Sequence, residues 1–118
     1  MTDSGTEPSI DVRWPRPGVA QVVLGGEHDL GSAGQLADTV ARALEGATHL
    51  IVDVSEVTFI DSTTIGGVVA AKRQADAIQC RFNLLLATAP IVERALELTG
   101  VLPMLNAVHS LDEALEAA

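Results

Sequence analysis

The feature that most constrains this chain is the alternation of strand-like and helix-like segments along its length. Two strand-like segments come first, and three helix–strand pairs and a last helix follow, so the predicted order is β-β-α-β-α-β-α-β-α. Strands that alternate with helices are typical of a mostly parallel sheet covered by helices. The order therefore predicts a single α/β domain. It would have four to five strands, an antiparallel N-terminal edge strand and about four helices.

Hydrophobic periodicity and turn residues set the predicted boundaries. Apolar residues alternate over Ile10–Trp14, which predicts the edge strand. A turn over Pro15–Gly18 leads into a second strand over Val19–Leu24, which Gly25 and Gly26 are expected to end. The other predicted elements are a helix over 31–46, a strand over Leu50–Val54, a helix over 63–79, a strand over Phe82–Ala87, a helix over 90–100, a strand over Leu102–Val108 and a helix after Ser110.

Apolar residues spaced by three and four mark two of the helices. The first set, which defines the expected core face of its helix, is Ile65, Val68, Ala71, Ala75 and Ile78. The helix after Pro90 carries Ile91, Ala95 and Leu98.

Length and charge exclude several classes of protein. A chain of 118 residues has room for one domain, which we place at residues 9–118 after a flexible tail over residues 1–8. The formal net charge of −9 argues against nucleic acid and against anionic membrane surfaces, since both attract clustered lysine and arginine. No apolar run approaches the roughly 20 residues that span a bilayer, and the start is too polar for a secretory signal. We expect a cytoplasmic protein.

Residues for cofactor, metal or nucleophilic chemistry are sparse. No Gly-rich phosphate loop is present, so no cofactor is expected. His28, His49 and His109 are far apart, which predicts solvated loop or edge positions and no metal site. Ser62 lacks a Gly-x-Ser-x-Gly elbow, so we expect no enzyme, with a nucleophilic Ser62 as the alternative. Cys80 is the only cysteine and is expected to be a small buried side chain.

Polar residues cluster where the strand-like region Leu50–Ile60 meets the following helix. Asp61, Ser62, Thr63 and Thr64 are consecutive there, and any of the first three is a suitable N-cap. One cap is enough, so the remaining hydroxyl groups are available for another role. A hydroxyl at a helix N-terminus is well placed to carry a phosphoester, because the free N–H groups and the helix dipole favour negative charge.

Two motifs in this chain resemble those of one protein family. The segment Leu50–Gly66, LIVDVSEVTFIDSTTIG, resembles the family signature. The earlier segment Gly26–Leu30, GEHDL, is similar to the Gly-Glu-x-Asp-Leu loop that follows the family's second strand. The predicted element order also matches that of the family along nearly the whole chain. The family is the STAS domain family, the anti-sigma-factor antagonists of bacteria, and the resemblance implies a STAS-like domain.

The resemblance also implies a phosphorylation switch. The family's acceptor is the serine directly after the motif aspartate, which is Ser62 here, with Thr63 and Thr64 as alternatives. Asp29 and Asp61 would form the acidic surroundings of this serine. The implied partner is an anti-sigma factor that is also a serine protein kinase, and a serine phosphatase is a further candidate. Unphosphorylated protein would bind the anti-sigma factor and release a sigma factor, and phosphorylation would end that binding.

The helix after Ser62 is the expected docking surface. If the core face of this helix is turned towards the sheet, the small residues opposite allow close approach by a partner. The predicted partner-contact residues are Glu27, His28, Asp29, Ser62, Thr63, Gly66, Val69 and Arg73.

One departure and one alternative accompany the resemblance. Thr64 stands where the family usually has a small residue, and its bulk is expected beside the acceptor hydroxyl. The resemblance favours a monomer, although the edge strand Ile10–Trp14 is able to pair. The alternative function is a STAS-type structural or regulatory subunit of a transport or signalling complex that lacks a phosphoswitch.

Overall fold

The computed structural model describes residues 7–116, which form one five-stranded mixed sheet with helices packed on it. The edge strand β1 (Ser9–Arg16) is antiparallel to β2 (Val19–His28). The strands β3 (His49–Ile60), β4 (Arg81–Leu85) and β5 (Ala107–Val108) follow in parallel, in the spatial order β1-β2-β3-β4-β5. The predicted fold class is confirmed. The predicted tail over residues 1–8 lies for the most part outside the described residues.

Four α-helices occur within residues 7–116, and they divide unequally between the two faces of the sheet. They are α1 (Leu30–Leu44), α2 (Ser62–Ala77), α3 (Pro90–Thr99) and α4 (Leu111–Glu116). The main core lies under α1, α2 and α3, where Leu36, Val68 and Leu96 pack in one buried cluster with the strands. A smaller cluster on the other face includes Ile51 of β3 and Leu115 of α4. No helix among the described residues combines the length and apolarity needed to cross a membrane.

The predicted turn at Pro15–Gly18 is too long, since β1 continues through Arg16. The pairing of β1 with β2 shifts by one residue between Arg13 and Arg16, and Pro15 lies within this irregularity. Proline is tolerated there because β1 is an edge strand and its outer side has no ladder to lose. The turn itself is reduced to Pro17 and Gly18, and Gly18 has a positive φ of 80°.

The prediction that Gly25 and Gly26 end the second strand is wrong, because β2 runs on to His28. Gly25 pairs with Ser9 on one side and Glu56 on the other. A Cβ at Gly25 would lie 2.7 Å from the Ser9 hydroxyl oxygen, so this glycine is needed for a close approach of strands. Glycine ends strands in many sequences, but here the absence of a side chain lets the paired strands lie close together.

The predicted core face of α2 is correct except at its end. The buried residues include Ile65, Val68, Ala71 and Ala75. Ile78 is 56% exposed, because it follows the last helical residue and acts as the C-cap.

The apolar residues that mark α3 in the sequence do not form its core face. Ile91 and Leu98 are 63% and 71% exposed, whereas Val92 and Leu96 are buried. This helix has two neighbouring apolar stripes, and the sheet covers the stripe that contains Val92 and Leu96.

Two strand ends also differ from prediction. The predicted strand over Leu102–Val108 is reduced to β5, because Leu102–Met104 forms a 3₁₀ helix with Pro103 inside it. β4 ends at Leu85 instead of Ala87, which has a positive φ of 49° that a strand does not accommodate. Cys80 is buried, as expected.

Candidate functional site

The ends of β2 and β3 meet side by side at one edge of the sheet. His28 is aligned with Ile60 in the parallel register, and the backbone N–H of Asp61 donates to the carbonyl oxygen of His28 at 3.3 Å. Asp29 and Asp61 therefore leave neighbouring strands at the same level. Each of the two residues is the N-cap of the helix that follows.

The two aspartates use their carboxylates to satisfy free helix N–H groups. Asp29 Oδ1 accepts from the N–H of Gly31 at 2.8 Å, and Asp61 Oδ1 accepts from the N–H of Thr64 at 2.9 Å. Negative charge at these positions is also favoured by the helix dipoles. Because Asp61 caps α2, the hydroxyl of Ser62 is not required for capping.

The three hydroxyl residues at the start of α2 have different environments. Ser62 and Thr63 are exposed, and within the described residues neither side chain makes a hydrogen bond. Thr64 is only 1% exposed, and its Oγ1 is buried with no hydrogen-bond partner in the described structure. Thr64 is therefore not accessible as an alternative acceptor. Its side chain also points into the core, so the predicted bulk beside the acceptor hydroxyl is absent.

His28 is a buried anchor, and the prediction of a solvated position is wrong. Its Nε2 donates to the carbonyl oxygens of Gly25 at 3.0 Å and Ser9 at 3.2 Å, and its Nδ1 lies 2.9 Å from the Ser32 hydroxyl oxygen. Nε2 must carry a proton, because both of its partners are carbonyl oxygens, which only accept. The ring thus joins β1, β2 and α1, and it is not available for contact with a partner.

The other two histidines lie at different places in the fold. His49 is also buried, contrary to prediction, and its Nε2 donates to Asn83 Oδ1 at 2.8 Å. It is the first residue of β3, whereas Ser62 follows the end of that strand. His109 is exposed after β5. Across residues 7–116, no three histidine, cysteine or carboxylate side chains come together as a possible metal site.

A groove of about 560 Å³ runs along the exposed side of α2 and brings four of the predicted contact residues together. Ser62 lies at its N-terminal end and Arg73 towards the other end, with Gly66 and Val69 between them. The full lining is Ser62, Ile65, Gly66, Val69, Ala70, Arg73, Gln74, Thr99 and Val101. We call this surface the α2 groove.

Sequence reasoning missed the two lining residues that lie outside α2. Thr99 and Val101 flank Gly100, which ends α3 in the left-handed conformation and turns the chain beside α2. The glycine was recognised as a helix stop, but no residue pattern indicates which helix the following turn approaches.

The remaining predicted contact residues lie outside the α2 groove. Glu27 and Asp29 are exposed at the end of β2, next to the strand that leads to Ser62. A partner that covers both regions would have to cross the β2 and β3 ends.

The comparisons with known proteins agree with this architecture. A family model described as "Mlab, STAS domain" matches residues 15–106, which is well over half of the chain. No curated protein matches the sequence.

Several solved structures share the fold along almost the whole chain. An anti-sigma factor antagonist from Mycobacterium paratuberculosis has a TM-score of 0.83 at 24% identity, over 94% of this chain and 93% of its own. The antagonist SpoIIAA in its unphosphorylated form has a TM-score of 0.75 at 20% identity, over 92% and 95%. A sulfate transporter family protein from Wolinella succinogenes has a TM-score of 0.70 at 21% identity, over 85% and 84%. Together with the family match, the fold places this chain in the STAS domain family.

Proposed function

We propose that this protein is an anti-sigma-factor antagonist whose partner binding is switched by phosphorylation of Ser62. The observation that carries the proposal is the exposed Ser62 at the N-terminal end of the α2 groove, next to a carboxylate that already caps the helix. A serine that is free of a capping role and lies on an apolar docking surface is suited to modification. Unphosphorylated protein would bind an anti-sigma factor with serine kinase activity and thereby release a sigma factor.

The charge of a phosphate explains why modification would end binding without unfolding the domain. Phosphorylation adds about −1.5 to −2 charges. At about 7 Å and an effective dielectric near 20, each pair of like unit charges repels by roughly 2 kcal/mol, and Asp61 is one such neighbour. The N-terminus of α2 offsets about 0.3–1 kcal/mol of this repulsion. The exposed serine keeps its phosphate in water, so the fold tolerates the remainder.

A docked partner meets a larger penalty. The α2 groove is lined mainly by apolar and small residues, so binding would take the phosphate out of water. A loss of about 3 kcal/mol lowers affinity more than a hundredfold. Arg73, at the far end of the groove, would attract an acidic group on the partner.

The proposed contact surface combines the groove with the neighbouring strand end. It consists of Ser62, Thr63, Gly66, Val69 and Arg73, with Glu27 and Asp29 at its rim. The protein would act in the cytoplasm as a regulator of transcription and would catalyse no reaction itself. Support comes from the similar structures, which include the Bacillus cell fate determinant SpoIIAA in its phosphorylated form (TM-score 0.69, 20% identity, 92% of this chain and 98% of that one).

Phosphopeptide mapping tests the acceptor. The protein is incubated with ATP and a serine kinase anti-sigma factor from the same cell, and peptides that cover residues 62–64 are sequenced by mass spectrometry. We expect the phosphate on Ser62, none on Thr64, and no modification of Ser62→Ala. Phosphate on Thr63 alone would move the switch by one residue. The absence of phosphate from this segment would reject the proposed phosphorylation switch.

Calorimetric titration with the same anti-sigma factor tests the docking surface. We expect Ser62→Ala to bind like the natural protein and Ser62→Asp to bind at least tenfold more weakly. Gly66→Leu should also weaken binding, because its side chain would project from a backbone position with open space around it. Ala41→Leu, at an exposed position of α1, is the matched control. Equal affinities for all four variants would reject the α2 groove as the interface.

A second candidate is a STAS subunit of a transport or signalling assembly that works without a phosphoswitch. The sulfate transporter family protein among the similar structures favours it. In that case the α2 groove would hold a subunit of the assembly permanently. Co-purification from the native host with an ATPase subunit, at the same yield for Ser62→Ala and Ser62→Asp, would support this function over the first.

A further inference from the structure

Within residues 7–116, the outer edge of β1 has no paired strand, and it carries exposed apolar side chains. β1 lies at one end of the sheet and β5 at the other. Val12 is 39% exposed and Trp14 is 49% exposed, although both lie on the face of the sheet that α1 covers. Their neighbours Asp11 and Arg13 are exposed on the opposite face.

The direction of the backbone groups in β1 follows from the hydrogen bonds on the other side of β2, where it pairs with β3. The carbonyl oxygen of Gly18 accepts from the N–H groups of Thr48 and His49 at 2.8 and 3.1 Å, so it points towards β3. Backbone groups alternate in direction along a strand, so those of Gln21 and Val23 point towards β1.

The partners of these two residues then show which groups of β1 are free. Arg13 is aligned with Gln21 and Asp11 with Val23, so the backbone groups of Arg13 and Asp11 point back towards β2. The N–H and C=O groups of Ile10 and Val12 point outwards. A second strand can therefore form hydrogen bonds with β1 at these positions.

We propose that the occupant of this edge is a second copy of the same chain, paired antiparallel through β1 with Val12 at the two-fold axis. In this register Val12 lies opposite Val12 of the second copy, and both present outward backbone groups. Asp11 lies opposite Arg13 of the second copy, and the symmetry repeats this ion pair. Ile10 lies opposite Trp14 of the second copy on the face covered by α1. The sequence of β1 is thus complementary to itself in charge and in side-chain size.

Charge favours this occupant at this edge. The whole chain has a net charge of −9, so most of its surface repels a second copy. β1 instead carries one aspartate and two arginines, Arg13 and Arg16. Beside it, a groove of about 320 Å³ between β1 and α1 is lined by Arg42 and, among the described residues, by no carboxylate. β1 thus has a net charge of +1, so two copies of this acidic protein repel each other less at this edge than the charge of the whole chain implies.

The same strand also limits the strength of the contact. Pro15 has no N–H, and the register shift between Arg13 and Arg16 bends the strand. Pairing therefore covers residues 10–14 only, and we expect weak, concentration-dependent dimerisation in place of the monomer that the family resemblance implies.

Sedimentation equilibrium of the full chain, from low micromolar to millimolar concentration, tests the proposal. We expect the average mass to rise from 12.3 kDa towards twice that value. Asp11→Arg and Arg13→Asp each place like charges opposite one another and should weaken dimerisation about tenfold or more. The double variant that carries both changes should restore it, because the charges are only exchanged. Glu116→Arg, an exposed charge reversal on α4 at the other edge of the sheet, is the control.

Each outcome decides the proposal. Restoration by the double variant would establish this pairing, because a merely structural effect of two substitutions would not cancel. A natural protein that stays monomeric at millimolar concentration would overturn it. The proposal would also be overturned if the single charge reversals left dimerisation unchanged. Failure of the double variant to restore dimerisation would overturn it as well. All variants should unfold at the same temperature as the natural protein, since both side chains are exposed.

Discussion

The backbone N–H of Asp61 donates to the carbonyl oxygen of His28, and this bond fixes the start of the Ser62 helix to a buried anchor. The His28 ring is completely buried and joins β1, β2 and α1 through its two nitrogens. The position of Ser62 is therefore determined by the core of the domain. A switch residue placed in this way can change its charge while the surface around it keeps its shape.

Removing the cap of α2 should destabilise the domain. In Asp61→Ala, the N–H of Thr64 loses its carboxylate acceptor, so we expect the free energy of unfolding to fall by about 1 kcal/mol. Asp61→Asn should cost less, because asparagine is also a good N-cap. Urea unfolding measures both, with Asp38→Ala on the exposed side of α1 as the control. An Asp61→Ala protein as stable as the Asp38→Ala protein would contradict the capping role.

The two adjacent glycines of α2 should respond differently to alanine. A Cβ at Gly66 would meet no atom of the described residues within 4 Å, whereas a Cβ at Gly67 would lie 3.2 Å from Leu36 Cδ2. Because glycine costs about 0.5–1 kcal/mol relative to alanine inside a helix, Gly66→Ala should stabilise the domain by about that amount. Gly67→Ala should gain less, since Leu36 must move. Thermal unfolding compares the two, and a larger gain for Gly67→Ala would show that this packing is wrong.

Thr64 is a site where a more apolar side chain should improve stability. Its hydroxyl is buried with no hydrogen-bond partner among the described residues, and such a group costs about 1–3 kcal/mol. Thr64→Val keeps the shape and removes this group, so we expect a gain of about 1 kcal/mol. Thr39→Val is the matched control, because the Thr39 hydroxyl donates to the Gln35 carbonyl oxygen at 2.7 Å and its loss should bring no gain. Equal effects of the two substitutions in urea unfolding would contradict the assignment.

Cys80 should make the stability of the domain fall at alkaline pH. Burial raises the pKa of its thiol, and a hydrogen bond with the backbone of Leu50 offsets only part of this effect. Above about pH 8.5 the unfolded chain loses the thiol proton while the folded chain keeps it, so rising pH favours unfolding.

The matched variant for this pH effect is Cys80→Ala, which has no thiol to titrate. Urea unfolding at about pH 7 and about pH 9.5 should show a larger loss of stability for the natural protein than for the variant. The same loss in both proteins would assign the alkaline effect to other groups.

The α2 part of the site could be predicted from sequence because one pattern determines it. Spacings of three and four identify Ile65, Val68 and Ala71 as the core face, and geometry then places Gly66 and Val69 on the opposite side. Helix periodicity is local, so no knowledge of other elements is needed.

Other features depend on contacts between distant residues and were not predictable. On α3, Ile91 and Leu98 have the same spacing as a core face, and only the position of the sheet shows that Val92 and Leu96 are buried instead. Glycine is typical of strand ends, but the role of Gly25 depends on the close approach of Ser9. The burial of His28 likewise requires carbonyl groups from two strands.

The spatial order of the strands is the same as their order along the chain, and this has a consequence for synthesis on the ribosome. Each strand that emerges can pair at once with the strand made just before it, and none has to insert between two strands already joined. The β1–β2 hairpin requires only local contacts, and every later strand adds to an existing edge. The domain can thus assemble in the direction of translation, with little time during which a growing sheet waits for a distant partner.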